Sequence, residues 1–367
     1  MKITSIRLWH VSLTSHKTYY MADGKTCDDV TSVILRIDTD AGISGWGEVC
    51  PIPHYLPAYA EGVVPALDYL APVLIGADAS HPEVVMAACD HYLQGHLYAK
   101  SAIDMALHDA ASRQAGLPLY KYLGGDFGQS LPLYHSITCI EPDEMAHIAR
   151  EEKAKGMRQF QVKLGADLNN EADIARLSLV REAVGAGPLV YGDWNCGATS
   201  LDATRVGRAV AHLDIMLEQP CATIAECASV RQATGLAMKL DENVFDTHSL
   251  LAGYQAKVMD AAALKLSKFG GVSAMRKARD LCVSLGVKMC IEDTWGSDIT
   301  TSAALHIGAS TPPQFVMNVC DLSSYVAPKL DNSLPVRSDG HIKAPSGIGI
   351  GVTPQLDLLG DPVAIIQ

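Results

Sequence analysis

Five charged residues follow short apolar segments at a nearly constant spacing. They are Lys163, Asp193, Glu218, Asp241 and Lys265, separated by 30, 25, 23 and 24 residues. This spacing is typical of one βα unit, a strand and a helix with two short connections. In a closed parallel barrel the carboxyl ends of all strands lie at one face, where barrel enzymes carry their chemistry. The sequence therefore predicts that three carboxylates and two amines converge at that face.

Three neighbouring carboxylates repel one another unless a cation lies between them. A set of oxygen ligands favours Mg²⁺ over zinc, and such an ion can stabilise negative charge on a substrate carboxylate. The two lysines could then exchange protons with the adjacent carbon, if positive charge and burial lower their pKa. A single aspartate after a strand is more often a helix cap. The metal site is predicted from the joint occurrence of all five residues.

The remaining sequence predicts the elements that position these groups. Residues 1–125 read as an α+β capping domain, with strands over 1–13 and 30–50, helices over 58–113 and lid loops near 15–29 and 50–57. Residues 126–320 read as seven βα units and an eighth strand, an α/β modified TIM barrel of the (β/α)7β type. Residues 321–367, rich in Pro, Gly and Asp, are expected to pack back on the capping domain. A chain of 367 residues is long enough for both parts.

Composition excludes several function classes. The formal net charge of −12, from 29 basic and 41 acidic residues, argues against nucleic acid or an anionic membrane as a partner. The ten cysteines show no CxxC spacing, which favours reduced thiols over disulfides or a zinc site. No apolar run is long enough for a membrane span and the first residues lack a signal-peptide layout. We therefore expect a soluble, cytoplasmic protein.

Several motifs resemble those of the enolase superfamily, in its mandelate racemase/muconate lactonizing enzyme family, along essentially the whole chain. The matching segments are Gly45-Trp-Gly-Glu48, Gly124-Gly125, Gln161-Val-Lys163, Gly192-Asp-Trp-Asn195, Leu217-Glu-Gln-Pro220, Leu240-Asp-Glu242, Lys265-Leu-Ser-Lys-Phe-Gly-Gly271 and Ser346-Gly-Ile-Gly349. The resemblance implies Mg²⁺ on the three carboxylates and acid/base roles for the two lysines. Members of the muconate lactonizing enzyme subgroup commonly have Lys-x-Lys where this chain has Gln161-Val-Lys163, which puts the tuning of Lys163 in question. Lys268, three residues past Lys265, is an alternative catalytic amine.

Within that subgroup, the chain looks most similar to enzymes that act on proline derivatives. The segments that carry this likeness are Cys50-Pro, Tyr55-Leu-Pro, Gly95-His-Leu-Tyr-Ala-Lys100 and Glu218-Gln-Pro-Cys221. It implies either dehydration of cis-3-hydroxy-L-proline to Δ1-pyrroline-2-carboxylate or 2-epimerisation of proline betaine or hydroxyproline betaine. Both reactions begin by removing the α-proton to form an enediolate. The acidic end of the eighth strand favours a protonated amine, and hence the dehydratase, over a quaternary amine in an aromatic cage.

The residues predicted to contact the substrate come from loops and strand ends. They are Tyr20, Tyr55, Asn195, Trp295 and Asp321. Four other functions remain open: another amino acid racemase, a dipeptide epimerase, an aldolase that forms a Schiff base on one of the lysines, and a binding protein without catalysis. The family resemblance also implies a homo-oligomer, either a dimer or an octamer.

Overall fold

A computed structural model describes residues 1–128 and 130–367, and it confirms the predicted fold. A parallel (β/α)7β barrel is joined to a mainly antiparallel sheet. The strands are β1 (Ile3–Tyr20), β2 (Thr26–Thr39), β3 (Ser44–Val49), β4 (Ser130–Pro132), β5 (His135–Ile137), β6 (Gln159–Lys163), β7 (Leu189–Asp193), β8 (Met216–Glu218), β9 (Met238–Leu240), β10 (Ala261–Lys265), β11 (Lys288–Glu292), β12 (Val316–Val319), β13 (Val326–Ala327), β14 (His341–Lys343) and β15 (Ala364–Ile366).

The α-helices lie mostly between the barrel strands and in the first third of the chain. They are α1 (Val63–Leu74), α2 (Pro82–Tyr92), α3 (Leu97–Gln114), α4 (Leu119–Tyr122), α5 (Pro142–Ala154), α6 (Asn170–Val184), α7 (Ser200–Val210), α8 (Ile224–Thr234), α9 (Thr247–Gln255), α10 (Leu266–Phe269), α11 (Val272–Leu285), α12 (Asp298–Ala309) and α13 (Leu356–Leu359). Across residues 1–128 and 130–367, no helix combines the length and apolarity that crossing a bilayer requires.

Local sequence signals set the limits of the barrel helices. Helix α8 begins after Thr223, whose hydroxyl accepts from the backbone of Glu226 while the Glu226 carboxylate accepts from the backbone of Thr223. It ends at Gly235, which has φ +71°, a backbone conformation that glycine adopts without steric cost. These signals fix where each helix starts and stops, and therefore how the next strand enters the barrel.

Strands β5 to β12 form a sheet in chain order, in which every pair is parallel. A parallel bridge between Leu133 and Val319 joins the first and last of these strands and closes the barrel. Lys163 pairs in register with Asp193, and Asp193 with Glu218. The charged ends of β6, β7 and β8 are therefore side by side.

The antiparallel sheet has the order β13-β1-β2-β3, and β15 also pairs with β1. The structure corrects the loop predicted near 15–29. Strand β1 continues to Tyr20 and β2 begins at Thr26. The pairing is interrupted by a register shift after Thr14 and is restored where Tyr19 lies opposite Cys27. The connection between β1 and β2 is therefore only the short tip of a hairpin. The segment 50–57 lacks regular structure, as predicted. Movement of either segment as a lid stays a prediction, as do the limits of the three domains.

Buried carboxylates connect the antiparallel sheet and its helices to the barrel. Glu48, at 0% exposure on β3, accepts hydrogen bonds from the backbone N–H groups of Ser297 and Thr300 at the start of α12. Helix α3 packs directly on β3, where a Cβ atom at Gly47 would lie 1.9 Å from the carbonyl oxygen of Ala102. The Gly-Trp-Gly-Glu motif therefore serves close packing and helix capping rather than substrate binding.

We expect Glu48→Ala to lower the free energy of unfolding by about 3 kcal/mol, because two buried N–H groups at the start of α12 lose a charged acceptor. Chemical denaturation measures this change. Glu182→Ala removes an exposed glutamate from α6 and is the matched control, expected to change stability little. Equal stability of the two variants would contradict the capping role of Glu48.

Candidate active site

The barrel brings the five predicted residues together at its carboxyl-terminal face. All five are buried, with Asp193 and Glu218 at 0% exposure. Lys163 Nζ lies 2.5 Å from Asp193 Oδ2 and 2.9 Å from Asn195 Oδ1. Lys265 Nζ lies 2.9 Å from Asp241 Oδ2. Lys163 and Lys265 end strands that are four apart in an eight-stranded barrel, so they approach the centre from opposite sides.

Gln161 connects two of the carboxylates. Its side-chain amide donates to Asp193 Oδ2 at 3.0 Å and to Glu218 Oε2 at 2.8 Å. Its carbonyl accepts from Ser136, which is in turn bonded to the hydroxyl of Tyr19. Where the family resemblance leads us to expect a lysine, this chain has a neutral donor that holds two acids side by side.

Tyr55 brings the 50–57 segment into the barrel site. Its hydroxyl accepts from Lys265 Nζ at 2.6 Å and donates to Asp241 Oδ2 at 2.5 Å. Lys265 Nζ also lies 4.4 Å from the centre of the Tyr55 ring. A residue from the first third of the chain therefore helps to position both a predicted acid/base group and a predicted metal ligand.

Lys268 has a different environment from Lys265. Its ammonium donates to Asp241 Oδ1 at 2.7 Å and to the Asp241 carbonyl at 2.5 Å, and it does not line the central pocket. Lys265 does line that pocket. The geometry therefore favours Lys265 as the catalytic amine and gives Lys268 the task of neutralising Asp241.

A small pocket of about 60 Å³ lies between the two lysines. Trp295 contacts two other rings of the pocket: its ring centre lies 5.8 Å from that of Tyr19 and 6.1 Å from that of Tyr325. The pocket wall is lined by Tyr19, Met21, Cys27, Ile52, Tyr55, Tyr134, Ser136, Gln161, Lys163, Lys265, Glu292, Asp293, Thr294, Trp295, Cys320, Leu322 and Tyr325. The site is therefore aromatic on its walls and charged at its base.

Burial and charge shift the pKa values of the acids in opposite directions. Burial, with the neighbouring charge of Asp193, raises the pKa of Glu218 to about 8. Burial also acts on Asp241, but the ammonium groups of Lys265 and Lys268 outweigh it and hold the pKa of Asp241 well below its usual range. The shift of each acid therefore follows from the ammonium groups beside it: Asp241 has two, whereas Glu218 has one.

The two catalytic candidates are ionised in this arrangement. Burial alone would lower the pKa of Lys163, but Asp193 and Glu218 outweigh it and raise that pKa. Asp241 and Glu292 likewise raise the pKa of Lys265 against the effect of burial. Each lysine can act as a base only when a cation other than the lysine itself neutralises these carboxylates. The expected lowering of the lysine pKa therefore depends on a cation bound by the acids.

The carboxylate oxygens of Asp193, Glu218 and Asp241 are the type of ligand that a hard divalent cation prefers. In this structure their side chains are not arranged around one common point. Among the described residues, no group of three or more His, Cys, Asp or Glu side chains is arranged to hold a metal ion. Lysine and amide donors occupy the carboxylate oxygens instead. Glu218 Oε1 has no hydrogen-bond partner within the described residues, although the ammonium of Lys239 lies 2.9 Å away. Three carboxylates at successive strand ends retain the oxygens that Mg²⁺ prefers.

The predicted substrate contacts divide into two groups. Tyr55 and Trp295 line the pocket, and Asn195 lies beside it, bonded to Lys163 and, through its amide nitrogen, to Glu242. Tyr20 does not line the pocket and is 43% exposed. Strand alternation points Tyr19 inward instead, which corrects the prediction for Tyr20.

Asp321 is also placed differently from the prediction. Its two oxygens accept from Nε and an amino nitrogen of Arg337, both at 2.8 Å, and it lies outside the central pocket. The carboxylate is therefore already paired by the C-terminal segment and is not available to a substrate amine.

Sequence reasoning missed several residues of the pocket. Glu292 ends β11 and accepts from Tyr134, and it carried the same signal as the other charged strand ends. Ser136 and Tyr325 had no such signal, because each is an ordinary polar or aromatic residue without a periodic pattern.

Comparison with known proteins identifies two family models along the chain. Residues 3–124 match the N-terminal domain of mandelate racemase/muconate lactonizing enzyme, and residues 144–358 match the enolase C-terminal domain-like family. The chain is similar to cis-3-hydroxy-L-proline dehydratase of Roseibium aggregatum, with 38% identity over 99% of both chains. It is 30% identical to L-Ala-D/L-Glu epimerase of Bacillus subtilis, over 84% of this chain and 86% of the relative.

Solved structures agree with this likeness. A member of the enolase superfamily from Roseovarius nubinhibens, crystallised with magnesium, superposes with a TM-score of 0.93 at 34% identity over 99% of both chains. The N-succinyl Arg/Lys racemase of Bacillus cereus superposes with the same TM-score at 26% identity over the full length of both chains.

We expect Arg337→Ala to lower the free energy of unfolding by about 2 kcal/mol at pH 7, because the buried Asp321 carboxylate loses its partner; exposure of Arg337 keeps the effect below that of a fully buried pair. Burial already raises the pKa of Asp321 despite Arg337. The loss should therefore shrink as the pH falls and Asp321 becomes protonated.

Denaturation at several pH values measures this dependence. Arg205→Ala breaks an exposed pair with Glu171 and is the matched control, expected to have little effect at any pH. An Arg337→Ala variant as stable as this control would show that Asp321 does not depend on Arg337.

Proposed function

Because the chain belongs to the mandelate racemase/muconate lactonizing enzyme family of the enolase superfamily, we propose that it removes the α-proton of a carboxylate substrate with Lys163 and Lys265 as the acid/base pair. The reaction we propose is dehydration of cis-3-hydroxy-L-proline to Δ1-pyrroline-2-carboxylate. The observation that carries this proposal is the placement of two amines on opposite sides of one small pocket, above three buried carboxylates.

Asp193, Glu218 and Asp241 are the residues that would hold Mg²⁺. Bound there, the ion supplies Lewis-acid stabilisation of negative charge on the substrate carboxylate. The carboxylates now raise the pKa values of Lys163 and Lys265. When the carboxylates bind a cation instead of the lysines, they no longer raise the lysine pKa values. A neutral amine can then form near physiological pH.

The two lysines divide the proton transfers. One accepts the α-proton as the negative charge spreads into the substrate carboxylate, giving an enediolate. In the dehydration, the C3–O bond then breaks and the hydroxyl leaves as water after receiving a proton from an ammonium group. The resulting enamine takes up a proton at C3 and releases the proton on its nitrogen, which gives Δ1-pyrroline-2-carboxylate. Tyr55, bonded to Lys265, orients that amine toward the pocket.

The lining of the pocket supports a small amine-bearing substrate. Aromatic rings form its walls, and acidic side chains lie among them. The relative with 38% identity carries the name of a dehydratase with such a substrate. Glu292 and Asp293 line the same pocket and offer negative charge to a protonated amine, in place of Asp321.

A second candidate is favoured by the rings of the pocket. Trp295 contacts both Tyr19 and Tyr325, and such a group of rings in one pocket is suited to a quaternary amine. The alternative reaction is therefore 2-epimerisation of proline betaine or hydroxyproline betaine. There the second lysine returns a proton to the opposite face of the α-carbon.

One NMR experiment in D₂O with Mg²⁺ separates these reactions. The substrates are cis-3-hydroxy-L-proline, proline, and the two betaines. We expect deuterium at the α-carbon together with loss of the 3-hydroxyl as the dehydration product forms. Deuterium exchange on a betaine with inversion would instead establish the epimerase. Absence of α-proton exchange on the whole panel would contradict both proposals.

We expect Lys163→Ala and Lys265→Ala each to lower kcat by about 10²- to 10⁴-fold, the usual contribution of general acid–base catalysis. Circular dichroism should show an unchanged fold. Lys277→Ala removes a lysine with 60% exposed side chain from α11 and is the matched control with normal activity. Near-normal turnover in either active-site variant would show that the acid/base assignment is wrong.

We expect Asp241→Asn to weaken Mg²⁺ binding by about tenfold or more, about 1.4 kcal/mol, because one anionic ligand becomes neutral. Isothermal titration calorimetry measures the affinity. Removal of metal by EDTA should abolish turnover, and added Mg²⁺ should restore it. Asp280→Asn changes an exposed aspartate of α11 and is the control. Unchanged Mg²⁺ affinity in Asp241→Asn would contradict its role as a ligand.

A further inference from the structure

Lys239 is a lysine sealed inside the barrel. It lies on β9 and has 0% exposure. Its Nζ is 2.9 Å from Glu218 Oε1, 4.4 Å from the centre of the Tyr191 ring and 5.6 Å from that of Tyr134. It does not line the central pocket. Lys239 therefore acts on the site through Glu218 and cannot contact a substrate.

Stability alone does not explain a charge at this position. A buried ion pair is often no more stable than apolar residues of similar volume, because both ions lose their hydration. A methionine would fill much the same space between the two tyrosine rings. The position therefore suggests a requirement for charge rather than for packing.

The other cations of the site show what that requirement is. Asp193 is paired with Lys163, and Asp241 with Lys265 and Lys268. Glu218 has the neutral amide of Gln161 on one oxygen and Lys239 on the other. Lys163 and Lys265 must gain and lose protons in the proposed reaction, so their charge changes during turnover. The charge of Lys239 is shielded from those transfers.

We propose that Lys239 is a positioning residue that supplies a permanent positive charge beneath Glu218. This inference rests on the proposed function. Without Lys239, the site would carry one more negative charge and would repel both a substrate carboxylate and the additional charge of its enediolate. With Lys239, the site stays receptive to an anion while the two catalytic lysines change protonation.

Lys239→Met tests this inference, with Lys100→Met as the matched control. Lys100 is also a buried lysine, on α3; it pairs with Asp90 at 2.8 Å and does not line the central pocket. We expect Lys239→Met to lower kcat/KM for the carboxylate substrate by about 10- to 100-fold, as loss of a residue behind a ligand commonly does. Its Mg²⁺ affinity, measured by calorimetry without substrate, should be unchanged or tighter, because Glu218 is less neutralised.

A second substitution provides a rescue. The Gln161 amide nitrogen is 2.8 Å from Glu218 Oε2, so a lysine at that position faces the same carboxylate. We expect the double variant Lys239→Met/Gln161→Lys to recover most of the lost kcat/KM. Should Lys239→Met fail to fold, recovery of a folded, active double variant supports the proposal and an unfolded double variant overturns it.

The remaining outcomes separate failure of the role of Lys239 from failure of the proposed function. Activity of Lys239→Met equal to that of Lys100→Met, weakened Mg²⁺ binding in Lys239→Met, or absence of rescue would each overturn the role of Lys239 while leaving the proposed function intact. A wild-type protein that binds Mg²⁺ but exchanges no α-proton on the proline panel would instead overturn the proposed function.

Discussion

Mutual repulsion among three buried carboxylates is the constraint on which the rest of the site depends. Asp193, Glu218 and Asp241 stand at successive strand ends with almost no exposure to water. Ion pairs in such an interior form only when each charge is balanced, and here every acid has at least one lysine within 3 Å. The same balance bears on the proposed chemistry, because Lys163 and Lys265, which pair with Asp193 and Asp241, are also the proposed acid/base groups.

The antiparallel sheet is attached to the barrel by hydrogen bonds. Residues from the first third of the chain therefore contact the charged groups of the barrel site. Glu48 caps helix α12, and Asp104 accepts from the backbone and hydroxyl of Ser273 at the start of α11. The sheet attached in this way carries the hairpin with Tyr19, and its strand β3 leads into the segment with Tyr55. Both tyrosines then reach the pocket, one at Lys265 and one through Ser136 and Gln161. A small closed site can therefore be built from elements more than 200 residues apart.

The fold and the five charged residues could be predicted because a βα unit has a nearly fixed length, so periodic spacing in the sequence becomes proximity at the barrel face. Prediction failed where the outcome depended on register or on partners without a periodic pattern. Tyr20 was chosen over Tyr19 because a one-residue difference in strand alternation reverses which side chain points inward. Asp321 lost its expected role to Arg337, which lies in an irregular segment 16 residues later. Lys239 alternates inward within a three-residue strand too short to show its own direction.

A crystal structure with Mn²⁺ in place of Mg²⁺ and a bound proline carboxylate tests the central claim most directly, because anomalous scattering locates the ion independently of the protein. The account predicts one ion with oxygen ligands from Asp193, Glu218 and Asp241, at about the 2 Å expected for such bonds, and the amines of Lys163 and Lys265 on opposite faces of the α-carbon. An ion at any other site, or both amines on the same face, would contradict it.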